Sequence, residues 1–223
     1  MRLNKWIASQ TLFSRRGADG VIAEGRVLVN GQPPTVGQNI ENGDVVKIDN
    51  MTILPTTLPI YIMLNKPIGY VCSRRGQGNK PIFSLLPDSL KHLQPVGRLD
   101  KDTSGLLLMT NDGDWLNEMA HPSYKKQKRY EVDLDKILKL EDAERIHVGV
   151  NIGDPRLSNF QIFGSGRSIR FEVVLNEGRN RQIRRTFEAL GYKVTHLHRI
   201  SYGEYNLSDI PSTQRYTLIN VPK

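Results

Sequence analysis

The stretch GRLDKDTSGLLLMTNDGD at 97–114 limits the fold more than any other part of the chain. Leu106-Leu107-Leu108-Met109 is its longest uninterrupted aliphatic run, far below the ~20 residues needed to cross a bilayer as a helix. Gly105–Thr110 reads instead as a buried strand, closed by an Asn111-Asp112-Gly113 turn. Asp114–Ala120 reads as a short helix, capped by Asp112 or Asp114 and stopped by Pro122. Asp102-Thr103-Ser104-Gly105 reads as a turn entering the strand. Asp100, crowded by Arg98, Lys101 and Asp102, has no such local role. Two readings stay open for it. It is a solvated strand end, worth ~0–1 kcal/mol as a surface ion pair, or a carboxylate at the mouth of a cleft.

The rest of the chain narrows the choice. Its 223 residues carry 31 Lys+Arg against 23 Asp+Glu, a net charge of +8, which points to a polyanion, nucleic acid first. The single cysteine, Cys72, excludes an internal disulfide and fits a reducing cytoplasm. The opening MRLNKWIASQTLFSRR is not a secretory signal. The protein is therefore expected to be soluble and cytoplasmic, with no membrane partner.

Residues 1–50 read as a small unit of their own. Leu3, Trp6 and Ile7 share one face of a helix, and Ala18, Val21 and Ile22 share that of a second, which Ser14 precedes and Gly25 ends. VLVNGQPP carries an Asn30-Gly31 turn, and DVVKI reads as a short strand. Arg2, Lys5, Arg15, Arg16 and Arg26 crowd the helical half, either as a phosphate-binding face or as a solvated one. Residues 51–60 read as a linker. In residues 61–223, YIMLN, RYEVDLD, IRFEVVLN and YKVTHLHRI read as strands. Ile183, Phe187 and Leu190 form a helical stripe ending at Gly191. The mixture lacks the regular alternation of a parallel sheet, so the expected class is α+β with a mainly antiparallel sheet.

Three basic segments mark this larger unit: Arg74-Arg75, the Lys125–Arg129 cluster beside Tyr124 and Tyr130, and eight basic residues within 167–199. Basic residues beside aromatics suit phosphate tracking and base stacking. Other chemistries lack their parts. His196 and His198 share a strand face without a third ligand nearby. Asn111–Asp114 lacks the Glu of a calcium loop. Gly76-Gln77-Gly78 lacks the Gly-Lys-Ser/Thr of a phosphate loop. Cys72 reads as a packed thiol. Neither a metal nor a nucleotide cofactor is expected.

RLNKWIA, SRRGAD, IAEGRVLVNG and GDVVKI, in that order, resemble the small RNA-binding module first described in a ribosomal small-subunit protein, the S-four type. GRLDKDTSGLLLMTNDG, together with LNKPIGYVCS (64–73), KRYEV (128–132), NEGRNRQIRR (176–185) and LHRISYG (197–203), resembles the ribosomal-RNA pseudouridine synthases that carry such a module at the N-terminus. The resemblance spans essentially the whole chain. It implies a cofactor-free isomerase that turns uridine into pseudouridine by flipping the base out of its stack, in ribosomal RNA or a ribosome-assembly intermediate. It implies that Asp100 is nucleophile or electrostatic partner in breaking the glycosidic bond, and that Tyr130 stacks on the extruded uracil and is available to assist a proton transfer. It implies that Arg184 pairs with Asp100, Ile183 lines the base pocket, and Arg98 fills the gap left by the flipped base. It implies that the two helices of the module dock on RNA. The rival reading is a non-catalytic RNA-binding or ribosome-assembly factor on the same fold.

Overall fold

The computed structural model describes residues 1–54, 59–76, 78–164 and 169–221. Gln77 and Arg167, which belong to segments discussed above, lie outside them, as do residues 55–58 of the expected linker.

In chain order the elements are α1 (Leu3–Gln10), α2 (Arg15–Ala23), β1 (Val27–Val29), β2 (Val46–Ile48), β3 (Met51–Ile53), β4 (Tyr61–Lys66), β5 (Tyr70–Val71) and β6 (Lys80–Pro81). There follow β7 (Gln94–Pro95), β8 (Ser104–Thr110), α3 (Gly113–Ala120), β9 (Lys128–Leu134), α4 (Leu140–Val148), β10 (Gln161–Phe163) and β11 (Arg170–Leu175). The chain then forms α5 (Gln182–Ala189), β12 (Val194–Tyr202), β13 (Tyr205–Asn206) and β14 (Tyr216–Leu218). Among the described residues, no helix is long and apolar enough to cross a membrane.

The N-terminal unit folds as its patterning requires. Leu3, Trp6 and Ile7 of α1 meet Ala18 and Val21 of α2 over β1 and β2 in a core of their own. Ser14 accepts a hydrogen bond from the Gly17 amide (3.0 Å) as the cap of α2. Asn30 and Gly31 both take positive φ at the expected turn. The sheet runs three residues further than expected, because β3 pairs antiparallel with β2 inside the segment read as linker.

The larger unit is α+β, with a nine-stranded, mostly antiparallel sheet ordered β10-β11-β9-β12-β8-β4-β14; β13 adds to β12 and β7 to β8. Every residue of β8 is buried, because both of its faces are covered. Leu107 and Met109 join the core that holds Ile183 and Phe187 of α5. Leu106 and Leu108 pack with Trp115 and Met119 of α3. Asp112 caps α3 through the amides of Asp114 (2.9 Å) and Trp115 (3.2 Å). A helix absent from the sequence reading, α4, buries only Ile146, so it carries almost no apolar stripe to read.

Among the described residues, the one parallel pairing in the main sheet joins β12 to β8 and decides where β8 begins. Gly105, at φ +103°, faces the backbone of Arg199, and a Cβ there would collide with the Arg199 carbonyl oxygen and amide. Arg199 is itself fully buried and donates from Nε to the Leu106 carbonyl (2.7 Å). Gly105→Ala is therefore expected to lower stability by ~2–4 kcal/mol, through clash and positive φ together. Urea unfolding of the two proteins measures it; a loss under 0.5 kcal/mol would mean the strands do not meet this closely.

Candidate active site

A cleft of about 240 Å³ opens between the 97–103 loop, β9 and the start of α5. The loop is held chiefly through its carbonyls. Lys66 ends β4 on the same inward face as Ile62 and Leu64, and its side chain is completely buried. Its ammonium donates to Pro67 O (3.2 Å), Asp100 O (2.9 Å) and Thr103 O (2.7 Å). Gly69 N takes Lys101 O (2.8 Å), and Arg184 Nη2 takes Asp102 O (2.8 Å). All four carbonyls from 100 to 103 are thus bonded to groups from outside the turn. Cys72 Sγ adds a weak contact with Leu99 O (3.4 Å). Burial pushes the Lys66 amine below its ordinary pKa, against the opposing pull of Cys72, Asp100 and Asp102. Three oxygen acceptors for three N–H bonds suit the protonated form.

Held this way, Asp100 points its carboxylate into the cleft mouth while Leu99 stays in the core. Tyr130, buried on β9, and Ile183, in the first turn of α5, line the same cleft with Leu175 and Leu197. A flat apolar ring has aromatic and aliphatic walls to lie against, with a carboxylate at its edge. Arg98 lines both this cleft and a second, larger groove of about 1080 Å³ between the helices of the N-terminal unit and the sheet unit.

Arg184 does not pair with Asp100 as expected. Its two terminal nitrogens are taken up by Val194 O (2.9 Å) and Asp102 O (2.8 Å), and its buried Nε has no partner among the described residues. Burial lowers its pKa. Its position on α5 brings it under the loop, where backbone carbonyls reach it first. Among the described residues, the guanidinium within ion-pair range of Asp100 is that of Arg181, with Nη1 3.8 Å from Oδ2. Arg181 lies one turn earlier, at the N-terminal boundary of α5.

The other basic residues divide by partner. Arg179 and Arg185 converge on Asp154, and the hydrogen bond from Arg185 holds that carboxyl below its usual range. Arg179 also donates to Arg156 O (2.6 Å) and Leu157 O (2.9 Å), so it anchors the 151–157 loop. Arg74 binds the carbonyls of Lys91, His92 and Leu93. In the N-terminal unit Arg26 pairs with Glu24 (3.0 Å) and Asp49 (2.6 Å). Lys5 crosses to Asp114 of α3 (2.6 Å). Arg2, Arg15 and Arg16 are exposed. His196 and His198 stack on each other, and His198 Nδ1 shares a hydrogen bond with Ser104 Oγ (2.7 Å). Among the described residues, no group of three or more His, Cys, Asp or Glu is placed to hold a metal ion.

Residues 60–189 match the family described as RNA pseudouridylate synthase. The chain belongs to that family. Residues 1–46 match the S4 domain. The dual-specificity RNA pseudouridine synthase RluF of Escherichia coli is 36% identical over 213 residues, which cover 95% of this chain and 73% of that one. The ribosomal large subunit pseudouridine synthase B of Bacillus subtilis is 33% identical, covering 92% and 87%. A crystal structure of a pseudouridylate synthase superposes with a TM-score of 0.70 at 28% identity, over 99% and 96% of the two chains. As a member of that family, the chain is an enzyme that isomerises uridine in RNA.

Within the enzyme, the sequence reading missed Lys66, Arg181 and the internal use of Arg179 and Arg185. Lys66 had a signal, since it alternates with Ile62 and Leu64. The arginines had none, because Asp100, Asp154, Arg156 and Leu157 lie far along the chain from them.

Lys128, at the start of β9, adds a third cation behind the cleft. Its ammonium lies 4.8 Å above the Tyr202 ring, and the Arg199 guanidinium lies against the same ring. Burial, then the like charge of Arg199, push its pKa down from 10.5 to about 8. Between about pH 8 and 10.5 the unfolded chain keeps a proton that the folded protein has shed, so this group makes stability rise with pH across that window. The stability of wild type minus that of Lys128→Met should therefore grow between pH 7.5 and 10, read from urea unfolding at each pH. A flat difference would mean that Lys128 titrates normally.

Proposed function

We propose that this enzyme acts on ribosomal RNA in the cytoplasm and that Asp100 carries the chemistry. The names of the RluF and large-subunit relatives support such a substrate, and large-subunit RNA is the first place to look. Ribosome-assembly intermediates present the same RNA and are proposed as the physiological partner. The observation that carries the chemical assignment is the Asp100 carboxylate standing at the cleft mouth on a turn whose four carbonyls are all restrained.

Isomerisation breaks the bond from the anomeric carbon to ring nitrogen 1 and forms one to ring carbon 5. Carbon 5 loses a proton and nitrogen 1 gains one. No redox change occurs and no group is transferred, so a carboxylate suffices and no cofactor is called for. Asp100 would attack the anomeric carbon, add to the ring, or stabilise the charge on the detached sugar. All three routes need it ionised and fixed. Tyr130 and Ile183 would sandwich the uracil, with the Tyr130 hydroxyl available for a proton transfer. Arg184 serves by locking the turn rather than by touching the carboxylate. Extruding the base costs a few kcal/mol, which stacking on Tyr130 and insertion of Arg98 into the vacated place would offset.

The N-terminal unit, residues 1–53, would grip the RNA. Arg2, Arg15 and Arg16 stand exposed for phosphate, whereas Lys5 and Arg26 would have to leave carboxylates to reach it. Replacing Arg15 and Arg16 by Ala should therefore flatten the plot of log affinity against log salt by ~0.7–0.9 per lost phosphate contact. An unchanged slope would place this face away from the RNA.

Asp100→Asn keeps the shape of the side chain and removes its charge. It should abolish pseudouridine formation in single-turnover assays while RNA affinity stays within a few-fold and stability within about 1 kcal/mol. Asp102→Asn, whose role is to present a backbone carbonyl to Arg184, should retain turnover. Activity in Asp100→Asn would sink the assignment. Mapping pseudouridine in ribosomal RNA with and without the gene tests the substrate.

A further inference from the structure

Four arginines line the cleft: Arg98, Arg179, Arg181 and Arg184. Arg179 is saturated by Glu177, Asp154 and two carbonyls. Both terminal nitrogens of Arg184 are committed to backbone. Arg98 stands where the cleft meets the larger groove. Arg181 is different. Among the described residues its only ion-pair partner is Asp100, at 3.8 Å, outside the 2.7–3.2 Å of a hydrogen bond. Its side chain is 45% exposed and that of Asp100 35%. The guanidinium is thus close enough to balance the carboxylate, yet its donors are free to bind a second anion.

The backbone at Arg181 supports a specific placement. It lies at φ 48°, ψ 32°, a left-handed conformation uncommon for residues other than Gly, Asn and Asp. Such conformations persist where the surroundings impose them, often at ligand-binding positions. Here it starts α5 with the side chain turned across the cleft mouth toward Asp100.

We propose that Arg181 binds a phosphate of the flipped nucleotide, bridging that phosphate and the Asp100 carboxylate. This rests on the reading of the cleft as the uridine site. With uracil between Tyr130 and Ile183 and its sugar at Asp100, the two flanking phosphodiesters leave through the mouth. A phosphate there meets the negative charge of Asp100 unless a cation stands between them. The planar guanidinium presents donors on more than one edge, so one edge faces the carboxylate while another takes the phosphate. Arg181 then seats the nucleotide and cancels the repulsion in one contact.

A double-mutant cycle between protein and RNA tests this. Arg181→Asn suits the left-handed backbone, so the start of α5 is retained, and thermal unfolding checks it. A short substrate RNA is made with a neutral methylphosphonate on the 5′ or the 3′ side of the target uridine. Single-turnover half-saturation and maximal rate are measured for each combination. Arg181→Asn should raise half-saturation on natural RNA roughly 10–100-fold, as expected for one charged hydrogen-bonded contact. One of the two methylphosphonates should impose a similar loss on the wild type and little further loss on the variant. Arg181→Lys, which keeps the charge, should recover part of the affinity and serves as the cycle partner if the Asn variant unfolds. Losses that multiply independently would overturn the proposal. So would a variant whose maximal rate falls with half-saturation unmoved, which would make Arg181 a partner of Asp100 alone. If the wild type forms no pseudouridine in the natural RNA, the reading of the cleft or of its substrate has failed; if it does while the cycle shows no coupling, the assignment of Arg181 alone has failed.

Discussion

The Lys66 ammonium is the contact on which the cleft depends. A turn that projects a carboxylate toward a ligand must not move when the ligand arrives, and backbone carbonyls are strong handles for fixing it. Lys66 grips the first and last carbonyls of the 100–103 turn from below, while Gly69 and Arg184 hold the two between them. Hydrogen bonds to a charged donor contribute ~1.5–3 kcal/mol each. Asp100 therefore has its position set by its main chain, and its side chain keeps its oxygens available.

This arrangement requires the sheet beneath it. Lys66 reaches the turn because β4 pairs antiparallel with β8, with Lys66 opposite Gly105. Gly105 in turn admits the Arg199 backbone in the parallel pairing with β12. Three strands thus meet at Gly105, two residues after the turn. The apolar run of β8 belongs to the same design, since a strand covered on both faces gives the turn at its entry little freedom.

Much of this architecture was legible in the sequence, for reasons that can be named. Alternation in β9 and β12 and the stripe on α5 report burial, and burial is what packing enforces. Ser14 and Asp112 cap their helices through local hydrogen bonds that depend on near neighbours. Asp100 stood out because no such local role accounted for it. What escaped the reading depends on distant partners. Nothing in NEGRNRQIRR shows that Arg179 and Arg185 will meet Asp154, or that Arg184 will find carbonyls before it finds Asp100. The parallel pairing of β12 and β8 is equally silent, because residues 94 positions apart (Ser104 and His198) must first be brought together. The helix α4 went unread because one buried side chain makes no period.

Lys66 and Arg199 are both fully buried, and Lys128 lies close behind them against Tyr202. Basic surfaces ordinarily attract RNA through a field that dissolved ions weaken, as the counterion cloud crowds each exposed charge. Charges seated inside the protein are screened much less by that cloud. These three cations stand behind the walls of the cleft rather than on them, and salt erodes their field less than it erodes the pull of the exposed arginines. As ionic strength rises, the pull of the exposed arginines on any anion should fade first, and that of the buried cations later.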